Sequence, residues 1–506
     1  MILFNRIQFV DFGRMVDQPA GVFGKKMIGV DNVKQMVAQC ADEYFVNFED
    51  SQSSTVCLKE RFIVTSVMGG VGIDKSTFLQ NHINILREYC TNTSLQKLLL
   101  EENQPLELNI TFGSSTLYDI NELEESGYCI LARRLLSSYF DIPWEKVVTL
   151  PMDIFNVMEI IVKNHKKVNH IDNTTNIVII INIDELNQIH HTNLLRANYV
   201  ISELVRGLRS QTMNGVRGSP VIGLLASSAI SEYRQSVIGK SIFNVEYTLP
   251  LIKPYDVIKL FHECGVNKLY FEDPKFIQLL NESGGVPSIL RIIFEKLSLK
   301  YDHISIVNAR NNVKLYLSSI PIPNLSNDAL VSLLETVVLG KSILLQSFIS
   351  FVPNLWYADM QKTGRLWINP HNESSYQVIV PILTLERLCQ QDPNSSVADS
   401  ILNILTEIKS EKEDKFKRIC AEYHAFKMDR ISKKSKTRIS KISLGEFYGN
   451  IEMHSDTATL EIQLDSEKCY DVKYFTSKFP GYMNESSMKL EYSCKLVIRE
   501  NNVEYI

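Results

Sequence analysis

Gly69-Gly-Val-Gly-Ile-Asp-Lys-Ser-Thr77 is the stretch on which the reading of the fold turns. A short β-rich run, Arg61-Phe-Ile-Val-Thr-Ser-Val67, precedes it. A helical pattern follows from Lys75 to about Tyr89, with Phe78, Leu79, Ile83 and Leu86 at helical spacing. Strand, glycine loop and helix in that order are the context a phosphate loop requires. Against G-x-x-x-x-G-K-[ST], Gly69 fits the first glycine, Lys75 the lysine and Ser76 the hydroxyl. In such a loop the backbone N–H groups of Gly69, Gly70 and Gly72 and onward to Thr77 wrap the phosphates of ATP, and the helix dipole assists. Lys75 reaches the β- and γ-phosphates, and Ser76 holds Mg²⁺.

Asp74 stands where the pattern has its second glycine. A side chain there crowds the phosphate path, and this one is anionic. Two like unit charges ~4 Å apart repel by roughly 4 kcal/mol at an effective dielectric of ~20. The expectation is a loop of the phosphate-binding kind that holds nucleotide weakly and hydrolyses it poorly. The other reading of 69–77 is a plain glycine-rich turn.

Farther along, Ile177-Val-Ile-Ile-Ile-Asn-Ile183 is apolar almost throughout, as a central strand buried on both faces should be, and it runs into Asp184-Glu185. A strand-end aspartate suits Mg²⁺, usually through water, and the following glutamate suits polarising the attacking water. Two surface acids capping a strand are the plainer alternative. Val221–Ala226 is a further strand, ending in Ser227-Ser228, where a polar side chain could sense the γ-phosphate or simply cap the strand. Gly284-Gly-Val-Pro287 forms a turn into a helix, one turn along which Arg291 is a candidate nucleotide contact. Arg206, Arg209 and Arg217 are candidate finger arginines, but read better as solvated.

Strands at Leu106–Phe112, Ile177–Ile183 and Val221–Ala226 alternate with helices at Tyr128–Leu136, Met152–Lys163 and Asn193–Arg209. That alternation predicts an α/β P-loop NTPase with a parallel sheet covered by helices. An N-terminal segment, 1–55, with a helix near Asn32–Asn47, precedes the core, 56–250. A helical domain follows at 251–420, with helices at Tyr255–Cys264, Asp273–Glu282 and Pro287–Leu299 and a short β-ribbon around Gly364–Val380. A basic linker, 421–441, leads to a small β-containing segment, 442–506, with strands near 457–464 and 489–498.

Composition sets wider bounds. The 506 residues exceed one ordinary core, and 45% hydrophobic with 22% charged residues is globular. No apolar run reaches the ~18 residues of a membrane span. The N-terminus lacks the marks of a secretory signal peptide. Nine scattered cysteines without a CxxC pair read as reduced thiols in a cytoplasmic or nuclear protein. His165, His170, His190 and His191 lack the helix spacing and carboxylate of a metal site. Between Lys427 and Lys441, seven basic residues, among them Lys433, Lys434, Lys436 and Arg438, face one acid, Asp429. The segment is a solvated linker, a nuclear-localisation signal or a weak, sequence-independent nucleic-acid contact.

Together, Ser66–Phe78, Ile183-Asp-Glu-Leu-Asn187 and Ser283-Gly-Gly-Val-Pro287 resemble the ATPase module of Crinkler effectors and their retrotransposon-hot-spot relatives. Downstream, Gly364-Arg-Leu, Val380-Pro381, Glu422-Tyr-His-Ala-Phe-Lys427, Ile442-Ser-Leu-Gly-Glu-Phe-Tyr-Gly449 and Lys478-Phe-Pro480 follow in the family's order, so the resemblance spans roughly 55–500. It implies a regulatory ATPase of an effector, with ATP and Mg²⁺, host or self protein partners, and secretion into a host cell without a recognisable signal peptide. Alternatively, the fold survives as a non-catalytic interaction scaffold. In that family a nuclease domain with a D…(D/E)-x-K site commonly follows. Here Asp471-Val-Lys473 lacks a convincing upstream partner, so cleavage of nucleic acid is not expected.

Overall fold

The computed structural model describes residues 27, 29–53, 64–70, 72–101, 105–113, 126–191, 194–228, 233, 244–298, 300–320, 325–338, 342–344, 347–350, 355–362, 366–370, 375–390, 397–399, 401–403, 439–443, 461–465, 498–500 and 503–505. The chain forms two compact units. Met1–Tyr316 with Ala358–Asn369 make the first, and Leu317–Tyr357 with Pro370–Ile506 the second.

The first unit begins with α1 (Asp31–Ser53), β1 (Val64–Met68), α2 (Lys75–Gln80), α3 (His82–Tyr89), α4 (Thr93–Leu100) and β2 (Leu106–Thr111). Next come α5 (Gly127–Phe140), α6 (Trp144–Val147), α7 (Ile154–Val168), β3 (Ile179–Asp184), α8 (Leu194–Asn214), β4 (Val221–Ser227) and β5 (Asn244–Thr248). Five strands pair in parallel in the order β2-β3-β4-β1-β5. The expected α/β P-loop NTPase fold is what the chain adopts: a parallel sheet covered by helices, with the glycine loop between β1 and α2. Insertion of β4 between β1 and β3 brings three strand ends side by side.

Both faces of the sheet are covered, as the apolar β3 run requires. On one face Val178, Ile180 and Ile222 pack with Ala38, Tyr44, Phe45 and Phe48 of α1, Leu86 of α3, and Leu95 and Leu99 of α4. The buried Tyr44 hydroxyl donates to Thr212 O (3.1 Å) and accepts from Val221 N (2.8 Å), pinning α1 to the entry of β4. On the other face α8 lies so near that a Cβ on Gly223 would stand 2.6 Å from Leu208 Cδ2.

The single helix expected from Lys75 to Tyr89 is two. The Asn81 N–H is shared between Thr77 O and Phe78 O, 3.1 Å from each, and Asn81 Nδ2 also donates to Thr77 O, at 2.9 Å. A side chain that competes for helix carbonyls ends the first helix, although the apolar spacing runs on unbroken. Alongside this break, Asn182 interrupts the apolar β3 run. Its carbonyl meets buried His82 Nδ1 (2.7 Å), and its amide donates to Leu79 O (3.2 Å), Glu107 Oε1 (3.2 Å) and Asn109 Oδ1 (2.8 Å). The network ties the helix after the phosphate loop to β2 and β3.

After the sheet come α9 (Pro254–Glu263), α10 (Lys268–Glu272), α11 (Pro274–Glu282), α12 (Pro287–Lys296) and α13 (His303–Ser319). Prolines at the starts of α9, α11 and α12 suit a first turn that has no use for the N–H.

In the second unit, helices Asn327–Val338 and Ile382–Gln390 accompany more β-structure than the expected ribbon. Tyr376–Ile379 pairs antiparallel with Ser342–Ile343, and Phe348–Ser350 with Leu355–Trp356. Strands this short carry too few residues to show a period. Ile439–Ser443 pairs with Glu461–Asp465, and Ile498–Glu500 with Val503–Tyr505. The basic residues Lys433, Lys434, Lys436 and Arg438, and also Asp471 and Lys473, lie outside the described residues. No helix among the described residues is long and apolar enough to cross a membrane.

Candidate nucleotide site

The carboxyl ends of β1, β4, β3 and β2 form a row. Register places Met68 beside Ser227, Ile183 beside Leu225, and Thr111 beside Asp184. Gly69 N donates to Ser227 O (3.3 Å), so the loop leaves β1 against the end of β4. Ser227 thus joins the loop through its backbone.

Lys75, the first residue of α2, is buried, and its Nζ turns back to donate to Gly69 O (3.0 Å) and Gly70 O (2.8 Å). Burial pulls its ammonium down to about 8, against the opposing pull of Asp184, Glu185 and Asp74. Ser76 is exposed and Thr77 half-buried. An ammonium, an exposed hydroxyl and two nearby carboxylates are a donor set suited to phosphate and to a hard divalent cation.

Asp74 takes the left-handed conformation, φ 54° and ψ 33°, that glycine adopts most freely. Aspartate visits this region at modest cost, so the loop keeps its path. The carboxylate makes no cap bond to α2. It accepts instead from an Arg291 Nη (2.9 Å), with the Asp74 side chain 21% exposed and that of Arg291 34%. Burial pushes the Asp74 carboxyl up, while Arg291 and then Lys75 pull it down. The expected anion in the phosphate path is therefore an anion paired with a guanidinium.

The first turn of α12 backs onto the same loop. Ser288 N donates to Gly72 O (3.0 Å), and a Cβ on Gly72, at φ 82°, would fall 2.2 Å from Ser288 Oγ. Gly70 is met from the chain's late return to this unit: a Cβ there would lie 3.2 Å from both Gln361 Cγ and Trp367 Cδ1. Both side chains are buried, and Gln361 Nε2 has no hydrogen-bond partner.

At the acidic strand, Asp184 Oδ1 accepts from Glu185 N (2.8 Å), and Glu185 sits at φ 56°. Glu185 Oε2 accepts from Thr111 Oγ1 (2.9 Å) and lies 1.3 Å from where a Gly113 Cβ would be. Gly113 is thus the space that Glu185 occupies. The Arg134 guanidinium stacks between Phe112 (4.1 Å) and Trp144 (4.4 Å) and donates to Thr111 O (3.2 Å), fixing the end of β2. Thr111, Gly113, Ser288, Gln361 and Trp367 are site residues that sequence reasoning missed. Only Thr111, a polar strand end, carried a local signal.

Lys75, Asp184, Glu185, Ser227 and Arg291 all belong to this one end of the first unit. Arg217 does not. It precedes β4 at the opposite end of the sheet, where it pairs with Glu159 (3.3 Å). Arg206 is exposed and pairs with Glu203 (2.7 Å).

No protein-family model and no curated protein matches this chain. Among solved structures it is similar to the ORC2 protein of Aeropyrum pernix in ADPNP–ADP complexes, at 14% identity over 77% of this chain and 99% of that one, TM-score 0.41. The ORC1 protein of Aeropyrum pernix in complex with DNA is similar at 11% identity over 73% of this chain and 94% of that one, TM-score 0.34. CDC6P from Pyrobaculum aerophilum is similar at 11% identity over 77% and 99%, TM-score 0.30. The strand order and the loop, rather than these distant likenesses, define the fold.

Proposed function

We propose that this chain is an ATP-binding, regulatory P-loop ATPase of the Crinkler-like effector type. One observation carries the reading. Lys75, Asp184, Glu185 and Ser227 converge at the carboxyl end of one parallel sheet, around a loop in which Asp74 keeps the backbone conformation of a glycine. Gly69, Gly70, Gly72, Lys75, Ser76 and Thr77 would receive the phosphates. Lys75 Nζ exchanges the carbonyls of Gly69 and Gly70 for phosphate oxygens. Ser76 and Asp184 are the residues that would hold Mg²⁺, which when bound neutralises phosphate charge. Glu185 is the residue to orient and deprotonate water, and it must first leave the Thr111 hydroxyl. Arg291, on leaving Asp74, is free for a phosphate oxygen.

The resemblance of the loop, the acidic strand and the glycine–proline turn to Crinkler ATPases supports an effector acting in the cytoplasm or nucleus of a host cell. The test is Mg-ATP binding and hydrolysis by wild type and Lys75→Ala. Saturable binding lost in Lys75→Ala supports the reading, and equal behaviour of the two proteins sinks it.

A second reading, a scaffold that no longer uses nucleotide, is favoured by the Asp74–Arg291 pair and by the residues covering Gly70. Thermal melting separates the two. A ligand at ~100 times its dissociation constant adds ~2.7 kcal/mol, so an unmoved midpoint at millimolar Mg-ATP favours the scaffold.

A further inference from the structure

Asp74 and Arg291 are 217 residues apart in sequence, yet their side chains meet at 2.9 Å. The pair sits where the loop and the first turn of α12 already touch through Ser288 N and Gly72 O, at 3.0 Å. Gly72 has no room for a side chain there, since its Cβ would overlap Ser288 Oγ. The approach of α12 to the loop is therefore close and specific. Guanidinium groups bind carboxylate and phosphate oxygens by the same planar array of N–H donors. The Asp74 carboxylate is also not consumed by capping α2, which leaves it wholly available to Arg291.

We propose that Asp74 is a positioning residue that stands in for a nucleotide's terminal phosphate. By engaging Arg291 it holds α12 docked on the phosphate loop when no nucleotide is bound. This rests on the ATP-binding reading above. The consequence is a loop that is closed when empty, and for which incoming phosphate competes with an internal carboxylate for one arginine. The aspartate that breaks the sequence pattern thus makes the docked state independent of ligand.

The experiment is amide hydrogen exchange over residues 286–296 in wild type, Asp74→Asn and Arg291→Lys, each with and without Mg-ATP, alongside direct measurement of nucleotide binding. Asparagine accepts the left-handed backbone, so Asp74→Asn removes the charge while keeping the loop path. In wild type without nucleotide, the Ser288 amide should be protected. In Asp74→Asn its exchange should speed by ~10-fold or more, a loss of ~1.4 kcal/mol in local stability, and Mg-ATP should restore protection. Arg291→Lys should exchange fast in both conditions. Asp74→Asn should also bind ATP more tightly than wild type. Unchanged exchange in Asp74→Asn overturns the proposal whatever ATP does. Fast exchange that bound ATP fails to restore overturns the surrogate role while leaving ATP binding intact. If neither wild type nor Asp74→Asn binds nucleotide, the proposal and the ATP-binding reading fall together.

Discussion

Lys75 is the residue on which pH acts most directly. Its ammonium, lowered to about 8 by burial, is the form that attracts phosphate. Bound phosphate favours the protonated state, so binding near that pH takes up a proton. ATP affinity should therefore be full below pH 8 and fall as pH rises through it, well before the ordinary lysine range. Titration calorimetry at several pH values in two buffers of different ionisation enthalpy would show both the fall and the proton uptake. An affinity flat to pH 10 would mean either that Lys75 keeps an ordinary ammonium or that it does not meet the phosphates. The loop itself was legible at this scale, because Gly69, Lys75 and Ser76 hold their places in a fixed spacing. The partner of Asp74 was not. A repulsion reckoned from neighbouring residues alone has no means of including an arginine on a distant helix.

Element by element, reading succeeded where the apolar pattern was strong, as in the nearly unbroken β3 run and the alternating β2, and failed where composition was mixed. The β3 run announced itself through consecutive isoleucines. β5, Asn244-Val-Glu-Tyr-Thr248, went unread because it is an edge strand with partly exposed side chains, so its composition is mixed. The α2–α3 break was hidden by apolar spacing that continues across it. The polar network beside that break has a measurable signature. Burial lowers the His82 imidazole to about 4, so the folded protein keeps it neutral where the unfolded chain protonates it. The unfolded state then binds more protons, and stability is lost as pH falls from ~6.5 toward 4. Urea unfolding across that range should show a slope that His82→Phe removes. At neutral pH, Asn182→Leu should cost ~1–3 kcal/mol, the expense of stranding buried polar partners. A neutral effect would mean that water already satisfies His82 and Asn109.

Across the whole molecule, the first unit is discontinuous in sequence, since it takes in 358–369 after the chain has made 317–357 of the second. Trp367 is fully buried against Gly70, and Trp367→Ala should destabilise the first unit by ~3–5 kcal/mol. The check is chemical denaturation, followed through the exchange of β1 and β4 amides so that the two units are scored apart. Protection unchanged from wild type would show that the return segment is ornamental to the core. For the basic segment between Lys427 and Lys441, weak duplex-DNA binding should fall at least ~10-fold between ~50 and ~200 mM salt. Mobility shifts with its seven basic residues changed to glutamine provide the control, and binding that survives the change would place the contact elsewhere. The return segment, 358–369, could not be assigned to the first unit by inspection, because local pattern carries no information about which core a distant stretch will join. The discontinuity also sets a clock. At ~5–20 residues per second, a ribosome that has made Gly70 needs ~15–60 s more to deliver Trp367. For that interval the nascent phosphate loop exists without its late cover, so the order of synthesis leaves an early, uncovered loop that the finished protein does not display.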